Sequence, residues 1–412
     1  MQTHLASWAQ DTDFGNDADA ILRRCVHCGF CLATCPTYQL LGDERDSPRG
    51  RIYLIKQVLE GAELTAETQE HLDRCLTCRN CETTCPSGVE YGALVDIGRN
   101  LVDRKVERPF RQRLGRALLR RTLTSRWFGA AFRLGRLVRP LLPEVLKGKI
   151  PEVRPAGNIP AGGAHARMVL MPVGCVQPSM MPSIDAATLR VLDALDIGVR
   201  LEPGSGCCGA INFHLDAQDR ARNQMRANID AWLPLLENGA AEAIVINASG
   251  CGAMIKEYAH HLKHDPAYAD KARRLVEKVV DVAEVVAPLA AGLAPRLHGL
   301  PARVAFHPPC TLQHWQGLRG VSERMLTDLG FNLVPFLESH LCCGSAGTYS
   351  VTQPELAKSL RSRKLGHIQD ASPDCIVSSN IGCIGHLQGG TGVPVRHWIE
   401  IVDEALSAPP LK

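Results

Sequence analysis

Residues 25–36 read CVHCGFCLATCP and residues 75–86 read CLTCRNCETTCP. Both spell C-x2-C-x2-C-x3-C-P, so Cys25, Cys28, Cys31 and Cys35 recur as Cys75, Cys78, Cys81 and Cys85, each quartet closed by Pro36 or Pro86. Three thiols two residues apart can wrap one face of an iron–sulfide cubane. The fourth, on a chain turning away at proline, points elsewhere. Paired C-x2-C also builds zinc sites, but zinc takes four ligands and leaves the third cysteine and the Cys-Pro ending without purpose in either copy. Two complete matches therefore predict two [4Fe-4S] clusters.

The spacing is that of bacterial two-cluster ferredoxins, in which the fourth cysteine of each motif ligates the other cluster. Carried over, cluster one takes Cys25, Cys28, Cys31 and Cys85, and cluster two takes Cys75, Cys78, Cys81 and Cys35. Between the motifs, Ile52, Leu54, Ile55, Val58 and Leu59 follow Pro48, Arg49 and Gly50 at helical spacing. An all-helical two-cluster ferredoxin domain over 1–103 is expected. Arg49 and Arg51 read there as partners in surface salt bridges.

Eight further cysteines form a second doubled pattern. Cys175, Cys207, Cys208 and Cys251 recur as Cys310, Cys342, Cys343 and Cys383; the first three recur 135 residues on and the last 132. Each adjacent pair precedes a glycine, Gly209 or Gly344. Apolar strands are expected at Met168–Val173, Val199–Leu201 and Ala243–Asn247, and again at Arg303–Phe306, Asn332–Phe336 and Cys375–Ser379. They alternate with helices at Ala186–Leu195 and Val321–Leu329. That alternation predicts a parallel α/β layer in each copy, with thiols just past strand ends. The fold class is thus α+β multidomain, with modules at 166–300 and 301–412. Each four-thiol set is a candidate metal site. Cys375 is left over as a buried strand residue. Gly204–Gly209 fits G-x-G-x-x-G, but the second copy keeps only its last glycine, so no nucleotide site is expected. His260, His261, His264, His307, His314 and His340 read as packing or surface residues because none recurs in the other copy; only His340, two residues before Cys342, is kept as a site candidate.

The whole chain has 412 residues, 46 Lys+Arg against 43 Asp+Glu, and a net charge of +3, too balanced for a surface coated by nucleic acid. No apolar run approaches a membrane span. No positive charge precedes Arg23, so no secretory or twin-arginine signal is expected. Seventeen cysteines in a reducing cytoplasm read as metal or redox chemistry rather than disulfides. Charge concentrates in a basic bridge, 104–165. Residues 104–149 hold 14 Lys+Arg against Glu107 and Glu144, interleaved with Leu114, Leu118, Leu119, Phe128, Phe132, Leu134 and Leu137. Such helices suit an anionic membrane, where each basic residue contributes about 1 kcal/mol, or an acidic partner. They suit a helical linker with a solvated basic face equally well.

The order of these parts resembles the iron–sulfur subunits of heterodisulfide-reductase-like and glycolate-oxidising complexes, nearest among them the bacterial glycolate oxidase family. The resemblance runs through CVHCGFC (25–31), PRGRIY (48–53), HLDRC (71–75), CRNC (78–81), CCGSAGTY (342–349) and RHWIE (396–400). It implies a membrane-associated complex, peripheral on the cytoplasmic face of the inner membrane. A separate FAD subunit would oxidise glycolate to glyoxylate. This subunit, with no catalytic residues of its own, would relay electrons toward a membrane quinone or an adapter. Related subunits serve lactate or glycerol-3-phosphate oxidation, and a disulfide-reducing catalytic subunit is the other reading. The wider pattern ends each module in C-x-x-C. Here Ala248 and Asn380 replace the first of those cysteines, leaving four thiols per module.

Overall fold

The computed structural model describes residues 1–125, 127–138, 154–160 and 165–409. The N-terminal part is built on helices Asp13–Arg24, Pro48–Leu59, Ala66–Asp73 and Tyr91–Lys105, and its described residues contain no strand. Local chemistry sets the helix starts: Thr12, Ser47 and Thr65 accept from the backbone N–H groups of Gly15, Gly50 and Thr68. Pro48 occupies a first-turn position where its missing N–H costs nothing. Leu22, Ile55, Leu59, Leu72 and Leu94 close a core beneath the cysteine loops.

The second half holds two parallel sheets. In the first, β1 (Arg167–Met171), β2 (Ile197–Leu201), β3 (Ile244–Ile246) and β4 (Val279–Asp281) lie in the order β2-β1-β3-β4. In the second, β5 (Val304–Phe306), β6 (Cys375–Ser378) and β7 (Val395–His397) lie in the order β5-β6-β7, with Leu333 bridging to Val304 on the outer side. The two sheets are one topology, written twice. Even the helix after the last strand starts alike, with capping boxes Asp281/Glu284 and His397/Glu400.

The expected strand at Asn332–Phe336 shrinks to that single bridge, and β4 and β7 were not foreseen. Three-residue strands buried in a parallel sheet leave too short a pattern to separate from a helix end.

The modules share a core. The helix Pro182–Ala194 of the first packs on Trp398–Ser407 of the second. Ile184, Val191 and Leu192 bury with Ile399 and Val402 there. Ser183 donates to Glu400 (2.7 Å) and Arg190 pairs with Asp403 (2.7 Å).

The basic bridge forms helices Phe110–Leu123 and Phe128–Val138. Part of its charge is spent internally. Arg108 and Arg116 pair with Asp73 of the ferredoxin part and Asp216 of the first module, Arg116 at 2.6 Å from Asp216, and Arg120 donates to the Leu215 carbonyl. Arg126, Arg139, Glu144, Lys147 and Lys149 lie outside the described residues.

Candidate iron–sulfur centres

All seventeen cysteines are free thiols. The two N-terminal loops coil alike: His27 and Thr77 share φ near +50°, and Gly29 and Arg79 are also left-handed, at +84° and +58°. Such alternation curls backbone N–H groups inward, a concavity suited to an anion. The Thr77 N–H accordingly points at the Cys75 sulfur (3.3 Å).

Cys25, Cys28, Cys31 and Cys85 line one small cavity with Tyr91 and Cys81. The Cys35 thiol lies near Cys78 and Cys81 on the other side. Burial pushes the Cys31 thiol up to about 11 and Cys81 well above its ordinary value. Thiols so placed ionise when a cation repays the cost, as iron does. The Tyr91 hydroxyl lies 3.5 Å from the Cys75 sulfur and the Thr37 hydroxyl 3.3 Å from that of Cys35. Hydrogen bonds to cluster sulfurs are a lever on potential. Cys28 is exposed, beside exposed Val26 and Phe30.

Arg51 corrects the surface-salt-bridge expectation. It is 1% exposed and donates to the His71 carbonyl (2.7 Å), Thr37 (3.1 Å) and Asp46 (3.1 Å). Asp46 is itself buried and also holds Arg74 at 3.0 Å. The Arg51 charge lies near Cys75 and Cys35. Arg99 joins it, donating to Thr77 (2.7 Å) and to the carbonyls of Leu72 (2.8 Å) and Cys75. Arg49 does stay in a surface pair, with Glu44 at 2.8 Å. The signal for Arg51 was present: with Ile55 and Val58 it falls at i, i+4, i+7 on the buried face.

The dispersed thiols also gather. Cys207 contacts Cys175 and Cys208, and Cys208 contacts Cys251. Donation from Cys175 and Cys208 lowers Cys207 against its burial. In the second module Cys342 contacts Cys310 and Cys343, and Cys343 contacts Cys383. The turn glycines are obligatory. Gly209 and Gly344 have φ of +95° and +90°, and a Cβ on Gly344 would stand 2.6 Å from the Ala357 carbonyl oxygen. The Gly344 N–H then faces the Cys342 sulfur (3.4 Å). Four convergent thiols satisfy the donor count of a cluster in each module.

Cys310 has one more neighbour, Cys78 of the ferredoxin part. Leu76, Cys310, Cys342 and Tyr349 bury together there. The modules meet beside their thiols, where Ser249 and Thr311 hydroxyls lie 2.8 Å apart and Asn380 donates to Ser249 (3.2 Å). Cys375 opens β6, buried, outside both sets.

Among the histidines, His264 pairs with Asp17 (3.0 Å) and His314 bridges Thr83 and the His340 carbonyl, each at 3.0 Å. His261 packs tilted against Phe213 and edge-on to His260. His340 also offers its carbonyl to Asn80 (3.2 Å). His307 departs from the packing expectation. A ring nitrogen of His307 and the sulfurs of Cys343 and Cys383 lie within 4.8 Å of one another, and burial holds the ring neutral.

Comparison with known proteins agrees with this architecture. The family described as 4Fe-4S dicluster domain matches residues 21–89, and that described as Cysteine-rich domain matches twice, at 169–256 and 304–388. The chain is 53% identical over 409 residues to the glycolate oxidase iron-sulfur subunit of Escherichia coli (strain K12), covering 98% of this chain and 99% of that one. It is 29% identical to a "Probable glycolate oxidase iron-sulfur subunit" of Bacillus subtilis (strain 168), over 90% and 89% of the two chains. Lactate utilization protein A of Geobacillus kaustophilus (strain HTA426) is 26% identical over 56% of this chain and 96% of its own.

Proposed function

The chain belongs to the family of glycolate oxidase iron–sulfur subunits, and from that premise we propose that it carries electrons from an FAD-containing subunit oxidising glycolate toward a membrane quinone or an adapter. The observation that supports the route is where the thiols lie. Exposed Cys28 shares a cavity with Cys25, Cys31, Cys81 and Cys85, and Cys78 of the second motif contacts Cys310 of the second module. Cluster one is held by Cys25, Cys28, Cys31 and Cys85, and cluster two by Cys75, Cys78, Cys81 and Cys35. The sets Cys175, Cys207, Cys208, Cys251 and Cys310, Cys342, Cys343, Cys383 hold further iron.

When bound, such clusters exchange single electrons, which lets them drain a flavin's two-electron reduction stepwise. The protein's own groups set the terms of that exchange. Val26 and Phe30 surround the exposed end at Cys28 with an apolar face for the donor subunit. Arg51 and Arg99 place buried positive charge beside Cys75, favouring the more negative, reduced form. Thr77 and Tyr91 donate to that same sulfur.

No described helix is long and apolar enough to cross a membrane. Contact with the cytoplasmic face of the inner membrane runs instead through Phe110, Leu114 and Leu118, exposed at i, i+4, i+8 and interleaved with exposed Arg111, Arg113 and Arg121.

The test is reconstitution. Glycolate-dependent dye reduction is expected only with the flavoprotein present, and Cys28→Ser or Cys78→Ser should stop transfer to quinone while flavin reduction continues. Substantial glycolate oxidation by the isolated chain would overturn the relay.

A further inference from the structure

We propose that His307 is a nitrogen ligand to the iron held by the second module, joining Cys310, Cys342, Cys343 and Cys383; this rests on the reading that the second thiol set carries iron. The residue directly follows β5. Its backbone is fixed on both sides, the N–H donating to the Val377 carbonyl (2.7 Å) and the C=O accepting from the Ser378 hydroxyl (2.8 Å). The ring is fully buried, and both ring nitrogens lack any hydrogen-bond partner. Buried polar groups almost always find partners, and each one left without is destabilising. A metal bond to one nitrogen removes one of the two unpartnered atoms.

The geometry supplies the metal's position. Ligand atoms sharing one metal at roughly 2.0–2.3 Å stand about 3.5–4 Å apart. A ring nitrogen of His307 with the Cys343 and Cys383 sulfurs, all within 4.8 Å, needs only a small contraction to reach that spacing. With Cys310 and Cys342 alongside, the module offers five soft donors. That is one more than a zinc site uses, whereas a group of several irons can employ all five.

The feature is specific to one copy. Three residues before Cys175, where His307 stands relative to Cys310, the first module has Pro172, which has no side-chain donor. A neutral imidazole adds no negative charge to the centre, so a thiolate at the same position would lower its potential, imidazole ligation in place of thiolate being what raises that of iron–sulfur groups.

The experiment uses the full chain, purified anaerobically, as wild type, His307→Ala and His307→Cys, with and without 15N-histidine labelling. Pulsed EPR across a redox titration should show a nitrogen coupling in the wild type. It should change on labelling and vanish in both variants, while the signals of the two N-terminal clusters persist and report an intact fold. His307→Ala should lose iron, and His307→Cys should retain it with a lowered midpoint potential. Iron in the second module with no histidine coupling, or full iron and unchanged potentials in His307→Ala, would overturn the ligand assignment alone. Iron content matching only the two N-terminal clusters would overturn the underlying reading of the thiol set.

Discussion

The two cysteine-rich modules share strand order, thiols and turn glycine, yet their surroundings differ at each position where chemistry would notice. Pro172 in the first stands opposite His307 in the second. Gly209 rests on Ala221 and Gly344 on Ala357, which aligns the following helices and sets Asn228 opposite Lys364. Asn228 ties down its own turn, donating to the Cys207 carbonyl (3.1 Å). Lys364 is 2% exposed and lies near Cys310, Cys343 and Cys342. A buried ammonium beside the thiol set favours a more negative centre; an amide does so weakly. The modules also meet the ferredoxin part differently. The first is held by charge, through Arg79–Glu257 and the pairs of Arg108 and Arg116 with Asp216. The second is held by contact of Cys310 with Cys78 and by neutral hydrogen bonds, among them Asn80 to the His340 carbonyl (3.2 Å) and Trp315 to the Thr77 carbonyl (2.8 Å). The contrast predicts a mechanical anchor in the first copy and an electronic junction in the second.

The largest effect should come from breaking that division at the thiols. Cys342→Ser is expected to reduce transfer to the acceptor by more than the ~10–100-fold that changes outside a metal's ligand set cost. Cys207→Ser should cost less in transfer and more in the iron content of its own module. The signals of both N-terminal clusters should persist in each variant. Equal losses of transfer would mean that both modules lie on the electron path and that the asymmetry is only structural.

A second test acts on the anchor. Arg79 and Glu257 are mostly buried and form a paired fork, one arm at 2.9 Å, with the guanidinium also 3.7 Å from the Trp315 ring centroid. Removing one partner of such a pair costs about 3–5 kcal/mol because the other charge is stranded. Arg79→Ala should therefore lower thermal stability and open the joints of the ferredoxin part with both modules to proteolysis, because Trp315 belongs to the second; Glu257→Gln acts on the first alone. Burial opposes ionisation of Glu257, yet the His261 ring 3.6 Å away and the charge and hydrogen bonds of Arg79 hold its carboxyl at about 2. A depressed carboxylate stabilises the fold fully above its unfolded value of 4.5, and that stability drains away as pH falls from 4.5 toward 2. In Glu257→Gln the acid sensitivity of the joint should flatten over that window. If hydrogen exchange at the second module's contact loosened instead, the anchor would be misplaced.

These contrasts mark how much the sequence disclosed. The eight N-terminal cysteines were legible because their spacing is local and each proline sets the turn. The pairing of the dispersed thiols was legible through offsets of 135 residues for three of them and 132 for the fourth, although the residues are distant in the chain. Recurrence says nothing about His307, which has no counterpart in the first module, whereas a duplicated site can differ through just such a residue. Arg51 was misread by type, since a charged residue is seldom buried unless paired; its partner Asp46, in a short 3-10 turn, carries no sequence signal of burial. Lys364 was hidden in the same way.

The smallest effect tests the contact of the second module most directly. Six residues beyond the second cysteine of each pair stand His214 and Tyr349. Tyr349 reaches the ferredoxin part, its hydroxyl donating to the carbonyl of Arg74 (3.0 Å), one residue before Cys75. Burial raises the phenol to well above neutrality, so it remains a donor at every working pH. His214 stays within the interface too, edge-on to Trp315 at 6.0 Å, with burial holding it neutral down to about 3. It meets its neighbours as a ring. Tyr349→Phe keeps the ring and deletes one hydrogen bond, a loss of about 0.5–1.5 kcal/mol. The freed Arg74 carbonyl should let the loop bearing Cys75 shift, moving the potential of cluster two while that of cluster one stays fixed. His214→Phe should leave both potentials where they are, because no donor is lost on the ferredoxin side. Redox titration of the two variants separates the copies: if His214→Phe moved cluster two as far as Tyr349→Phe did, the first module would share the junction.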